Sequence, residues 1–115
     1  MDTCLFCKIA KRELPGKIVY EDDESVAFED INPKAPVHIV IIPRRHLATL
    51  LDAKEGDDRL LGHLLLVANV IARQNGIAER GFRLVLNCNS EGGQAVFHLH
   101  VHLLGGRPLR WHPAE

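Results

Sequence analysis

The residues with the most chemistry in this sequence are three histidines spaced two apart, in His98-Leu99-His100-Val101-His102-Leu103-Leu104. On a strand, positions i, i+2 and i+4 share a face, with roughly 6.5–7 Å between neighbours. Three imidazoles then line one face, and Leu99, Val101 and Leu103 line the other. A neutral imidazole near pH 7 is both nucleophile and proton acceptor. Neighbouring imidazoles disfavour one another's protonation. Such a row can set a neutral nucleophile beside a proton donor, or bind a phosphate or a metal. His-x-His is a common ligand spacing, but alternate strand positions usually supply two ligands, and no carboxylate is close in sequence. A lone strand histidine is most simply a half-buried hydrogen-bonding spacer.

A second pattern, Cys4-x-x-Cys7, is half of a structural zinc site and needs two further ligands. Its alternatives are a redox pair, which lacks a surrounding βαβ pattern, and two buried free thiols. Cys88, the third cysteine, reads as a small core residue. Three cysteines make no even disulfide framework, which favours a reducing compartment.

These groups need a scaffold. Residues 5–13 predict a short helix stopped by Pro15-Gly16. Residues 17–21 and 25–29 predict a hairpin around Asp22-Asp23-Glu24, and residues 37–42 a β-branched strand ended by Pro43. A helical turn is expected over residues 46–51. The clearest helix spans about 56–75, with Leu60, Leu64, Val67 and Ile71 in one stripe and Gly76 as its cap. Residues 82–88 and 97–104 predict a last strand pair around the turn at Gly92-Gly93. Strand pairs and one long helix imply an α+β domain with an antiparallel sheet.

The 115 residues carry 14 Lys+Arg and 15 Asp+Glu, 46% hydrophobic and 25% charged, the size and composition of one globular domain. The near-zero charge argues against nucleic acid as a partner. The start of the chain lacks a signal-peptide core, since Lys8, Lys11 and Arg12 interrupt it. No run approaches the roughly 18 apolar residues of a membrane span. A cytoplasmic protein without membrane contact is the expectation.

The His98–Leu104 stretch resembles the signature of the histidine triad (HIT) family, His-φ-His-φ-His-φ-φ with φ apolar. The segments 20–23, 27–38, Gly92-Gly93-Gln94 and Gly105-Gly106-Arg107 with Trp111 are also similar to it, so the resemblance covers nearly the whole chain. It is closest to the purine nucleoside phosphoramidase branch rather than the dinucleotide-cleaving branch. The resemblance implies five antiparallel strands with one long and one short helix, the sheets of two subunits joining in a homodimer. It implies hydrolysis of adenosine or guanosine 5′-phosphoramidates, including lysyl- or aminoacyl-type adenylates, with AMP or GMP as bound product.

By the same resemblance, His100 is the nucleophile that forms a nucleotidyl-histidine. His102 bonds a phosphate oxygen, and His38 supports the nucleophile strand. Asn87, Gly93 and Gln94 lie near the phosphate, the turn offering backbone N–H groups as an anion nest. Asp30 matches a ribose-binding carboxylate, although Asp before Asn-Pro by itself reads as a loop cap. Phe6, Ile9, Leu14, Phe28 and Ile31 match an apolar base slot, and without the match each reads as core. The resemblance also completes a zinc set, Cys4, Cys7, His46 and His98. Ala95 departs from a serine that some members carry, and alanine cannot exchange a proton with the leaving group. His63 is expected to be partly exposed on the long helix, and Trp111 and His112 to lie in a tail that approaches a neighbouring subunit's site. Two rival readings are a nucleotide-binding or scaffold protein with vestigial catalysis, and a zinc-dependent hydrolase that uses the triad as ligands.

Overall fold

Alternation along the central strands sends one set of side chains to each side of a sheet, and a helix covers each side. The computed structural model describes residues 3–110. Strands β1 (Ile18–Glu21), β2 (Ser25–Glu29), β3 (Val37–Pro43), β4 (Phe82–Val85) and β5 (Val101–Gly105) form one sheet in the order β1-β2-β3-β5-β4. All neighbouring pairs are antiparallel. With α1 (Leu5–Ala10) and α2 (Asp58–Gln74) this is the expected α+β architecture of one short and one long helix.

On one side, Ala27, Ile39, Ile41, Val101 and Leu103 pack with Leu60, Leu64, Val67 and Ile71 of α2. On the other, Val26, Phe28, Val40 and Ile42 pack with Phe6, Ile9 and Ala10 of α1. Each such aliphatic side chain contributes roughly 1.5–3 kcal/mol on burial. The odd positions of β5 thus join the α2 core, and its even positions face the α1 side. Helix α2 ends where Gly76 takes φ +70°, a left-handed conformation that suits glycine. Helix α1 stops at Ala10, short of the expected residue 13, because Arg12 turns left-handed at φ +61°.

Asp22 ties the first hairpin to α2. One oxygen accepts from the Glu24 and Ser25 N–H groups and the Ser25 hydroxyl. The other accepts from the Tyr20 hydroxyl at 2.9 Å and faces His63 Nε2 at 2.8 Å. Burial works against its ionisation, but the bonds from Glu24, His63, Ser25 and Tyr20 prevail and hold the carboxyl well below its ordinary range. His63, partly exposed on the helix as expected, is also an anchor between helix and hairpin.

Two other expectations shift. The turn expected at residues 46–51 is a 3₁₀ turn at Leu50–Asp52, capped by Thr49. The last strand pair is shorter than its apolar runs. β4 covers Phe82–Val85 and β5 begins only at Val101, pairing Val85 with His102. β3 stays with β5 only as far as Ile41 opposite Val101. Upstream, the Leu99 N–H leaves the ladder and donates to the Leu47 carbonyl at 2.6 Å. His98 and His100 therefore sit on irregular chain that enters β5, not on the strand itself. Trp111 and His112 lie outside the described residues.

Candidate active site

A cavity of about 870 Å³ opens on the α1 side of the sheet, bounded by β3, β4, β5 and the loop at residues 87–95. His38, His100 and His102 line it, with Asp30, Phe6, Asn87, Gly93 and Ala95. His102 projects from β5 and His38 from β3, two residues off being opposite, since His38 pairs with Leu104 and Val40 with His102.

Hydrogen bonds assign the tautomer of each ring. The Lys34 N–H donates to His38 Nδ1 at 3.0 Å, so the His38 proton sits on Nε2. That Nε2–H faces His102 Nδ1 at 2.8 Å and Asp30 Oδ2 at 3.4 Å. His102 Nδ1 is therefore an acceptor, and its proton sits on Nε2. His100 Nδ1 lies 2.7 Å from the His98 carbonyl, which can only accept, so Nδ1–H donates there. The lone pair of His100 is then on Nε2, which has no partner among the described residues and opens on the cavity that the ring lines. The rings of His100 and His102 meet edge to face with centroids 4.9 Å apart.

Burial keeps these rings neutral. It lowers the pKa of His100, and that of His38 against the pull of Asp30. Burial lowers His102 most, to about 4, helped by repulsion from His100 and His38. A neutral ring with a bare Nε2 thus stands beside a neutral ring with an Nε2–H, as a nucleophile beside a hydrogen-bond donor requires.

His98 faces elsewhere. Fully buried, its Nε2–H donates to the Pro43 carbonyl at 2.8 Å. Its Nδ1 lies 3.3 Å from Cys4 Sγ, 3.4 Å from Cys7 Sγ and 3.1 Å from His46 Nδ1. Cys7 Sγ is also 3.5 Å from His46 Nδ1. All four donor atoms lie within 4.8 Å of one another. A tetrahedral zinc with bonds of roughly 2.3 Å to sulfur and 2.0–2.1 Å to nitrogen has edges of about 3.3 Å between nitrogens and about 3.5 Å from nitrogen to sulfur. The observed spacings fit that ion and its soft donor set. Burial and the adjacent Cys4 raise the pKa of the Cys7 thiol. A bound cation inverts that preference.

The other clustered set is Asp30, His38 and His102, and neither set contains His100. Among the described residues the triad read as one metal-ligand row is thus split, His98 in one set, His102 in the other and His100 in neither.

The remaining expected residues are spread around this centre. Asp30 lines the cavity and also caps its loop, accepting from the Asn32 N–H at 2.8 Å. Asn87 lines the cavity while donating to the Gly92 carbonyl at 2.7 Å. The expected anion nest is not formed. The N–H groups of Gly92 and Gly93 donate to Asn89 and Ser90, and that of Gln94 to Asn89, inside their own turn. Gln94 is buried away from the cavity, donating to the Ala48 and Val96 carbonyls and accepting from the Asn89 N–H. It is a strut between two loops.

Of the apolar set, only Phe6 lines the cavity. Ile9 and Phe28 belong to the core layer around Phe6, and Leu14 packs half-buried against that layer. Ile31, which read as core, is 92% exposed. Sequence reasoning did not single out Lys34, Arg83 and Arg107, which bring positive charge to the cavity wall, or Glu91. Lys34 and Arg107 lie inside the matched segments, where no role was read for their charge, and Arg83 and Glu91 lie outside them.

Comparison with known proteins gives the site a context. A model described as HIT domain matches residues 11–109. A HIT-like protein of Synechococcus elongatus is 54% identical over 109 residues, 95% of each chain. The purine nucleoside phosphoramidase of Escherichia coli is 52% identical over 105 residues, 91% of this chain and 88% of its own. A HIT family hydrolase from Legionella pneumophila superposes with a TM-score of 0.94 at 50% identity, over 96% of this chain and 99% of that one.

Proposed function

The chain belongs to the HIT domain family, and on that premise we propose that it hydrolyses purine nucleoside 5′-phosphoramidates through a nucleotidyl intermediate on His100. One observation carries the reading: the tautomer chain that leaves Nε2 of His100 bare and puts a proton on Nε2 of His102, at one cavity. Nε2 of His100 attacks the α-phosphorus, the P–N bond breaks, and a P–Nε2 bond forms. The Nε2–H of His102 stabilises the charge that develops on a phosphoryl oxygen. The leaving amine takes a proton from water or from His102, because Ala95 has none to give. Water then attacks the same phosphorus, releasing the nucleoside monophosphate and restoring His100. Lys34, Arg83 and Arg107 supply the anion with positive charge, and Asp30 offers the ribose a carboxylate.

A fluorogenic adenosine 5′-phosphoramidate tests this directly. Turnover by the wild-type protein is expected, in the ordinary enzyme range of roughly 1–10³ s⁻¹. AMP binding without measurable turnover would instead favour a nucleotide-binding role.

The reading extends to a structural zinc on Cys4, Cys7, His46 and His98, supported by the donor spacings, and to a homodimer. The dimer is supported by the edge position of β4 and by exposed Leu65 and Leu66 on α2. Three unpaired thiols suit a reducing, cytoplasmic setting. No helix among the described residues is long and apolar enough to cross a membrane. Native mass spectrometry of tag-free protein is expected to show a dimer with one zinc per chain. A monomer, or a metal-free mass after zinc resupply, overturns the corresponding part.

A further inference from the structure

We propose that the Cys4–Cys7–His46–His98 cluster is a positioning device for the catalytic nucleophile, so that occupancy of the cluster sets the geometry and tautomer of His100. The inference rests on the phosphoramidase and zinc readings above and goes beyond both.

Two physical links join cluster and nucleophile. The first runs through His98. Its side chain belongs to the cluster, and its own carbonyl holds the Nδ1–H of His100 at 2.7 Å. No ladder bond fixes this stretch, because β5 begins only at Val101. The peptide that carries that carbonyl is held instead by its own N–H, that of Leu99, which donates to the Leu47 carbonyl at 2.6 Å beside His46 of the cluster, and by the His98 ring on the Pro43 carbonyl and the cluster.

The second link runs through α1. The helix has 6 residues, too few to persist without tertiary anchors. Cys4 is its N-cap, its Sγ accepting from the Cys7 N–H at 3.3 Å. Between the two cysteines lies Phe6, whose ring meets that of His100 at 90° with centroids 5.1 Å apart. Pinning both cysteines pins Phe6 against the nucleophile.

A neutral imidazole without such a partner does not keep its proton on Nδ1, and which nitrogen carries it follows the bond the other makes. With the cluster open, the His98 carbonyl and Phe6 each lose one anchor, keeping only the Pro43 and Leu47 bonds and the packing against Phe28. His100 then populates the Nε2–H form, in which the attacking nitrogen is blocked. Outer partners of functional histidines typically change activity by roughly 10–100-fold when removed.

The test compares wild type, His46→Ala and His46→Cys, each checked for fold by circular dichroism. Zinc content, kcat, KM and the ring-nitrogen signals of ¹⁵N-labelled His100 are measured on each. His46→Ala is expected to lose zinc, lower kcat by roughly 10–100-fold with KM changed by less than about threefold, and show Nε2–H signal at His100. His46→Cys, which restores a fourth donor, is expected to recover zinc, kcat and the Nδ1–H signal. Should His46→Ala fail to fold, wild type stripped by a chelator and then reloaded with zinc serves the same comparison. A zinc-free, folded protein with wild-type kcat and an unchanged His100 signal overturns the proposal. Failure of the underlying readings looks different: wild type without turnover, or wild type that never holds zinc. The His100 signal reports on the coupling even where turnover is absent.

Discussion

Replacing His100 by asparagine is expected to lower phosphoramidate turnover by on the order of 10⁴-fold or more, while AMP affinity stays within a few-fold of wild type. Asparagine suits the comparison because its Nδ2–H can still donate to the His98 carbonyl that Nδ1–H of His100 occupies. The substitution therefore removes the lone pair on Nε2 with little else. Covalent chemistry at His100 predicts that chemistry stops while ground-state binding survives, since AMP is held by the cavity wall and not by a bond to this ring. Steady-state kinetics and calorimetric AMP titration measure the two effects separately. A variant that retains a tenth of wild-type turnover would exclude His100 as the nucleophile. Zinc content serves as a second readout. His100 is in neither cluster of candidate metal ligands among the described residues, so its replacement is expected to leave any zinc on the proposed site in place. The rival in which the triad itself holds a catalytic zinc predicts that metal and activity are lost together.

Much of this arrangement was legible because period-2 alternation and burial constrain each other. The β-branched run at residues 37–42 could only be a central strand, and Leu99, Val101 and Leu103 could only face the leucine stripe of α2. His100 and His102 follow on the opposite side without further information. What alternation could not show is where a ladder ends. His98 keeps the spacing of its neighbours but leaves the strand, because the Leu99 N–H finds the Leu47 carbonyl in the chain just beyond β3 and the His98 ring finds a buried cluster. The Gly92-Gly93-Gln94 turn misled for a related reason. Its composition permits an anion nest, but whether the N–H groups face a ligand or their own loop depends on which carbonyls the chain brings back, and here Asn89 and Ser90 take them. Ile31 shows the limit of residue type, since an apolar side chain beside the cavity carboxylate of Asp30 is almost wholly exposed. The tautomer chain had no sequence signal at all. It depends on a backbone N–H from Lys34 reaching His38, four residues further along the chain.

That chain makes a demand on stability, and the second large effect follows from it. The protein is expected to lose stability steeply as pH falls from about 6.5 toward 4, while losing almost none between pH 7 and 8. The sign comes from the histidines. An unfolded histidine protonates near pH 6.5. His102 in the fold holds out to about 4, chiefly through burial, and His38 is lowered by the same cause. Between these values the unfolded chain binds more protons than the native one, so stability rises with pH through that window. Above it both states are neutral and the slope vanishes. At about 1.4 kcal/mol per pKa unit, His102 alone accounts for at most roughly 3 kcal/mol, a large share of an ordinary domain's margin of 5–15 kcal/mol. Urea unfolding across this pH range measures the effect, with metal-stripped protein alongside, because acid also protonates thiolate ligands. His102→Asn is expected to flatten the slope in both preparations. The sensitivity resides in the His38–His102 pair and not in the proposed zinc cluster if the stripped protein keeps the wild-type slope. A slope that disappears on stripping, or that survives His102→Asn intact, would place the acid sensitivity outside the His38–His102 pair. The burial that keeps the His102 ring neutral, as the proposed phosphoryl chemistry requires, is then the same burial that makes the fold intolerant of acid.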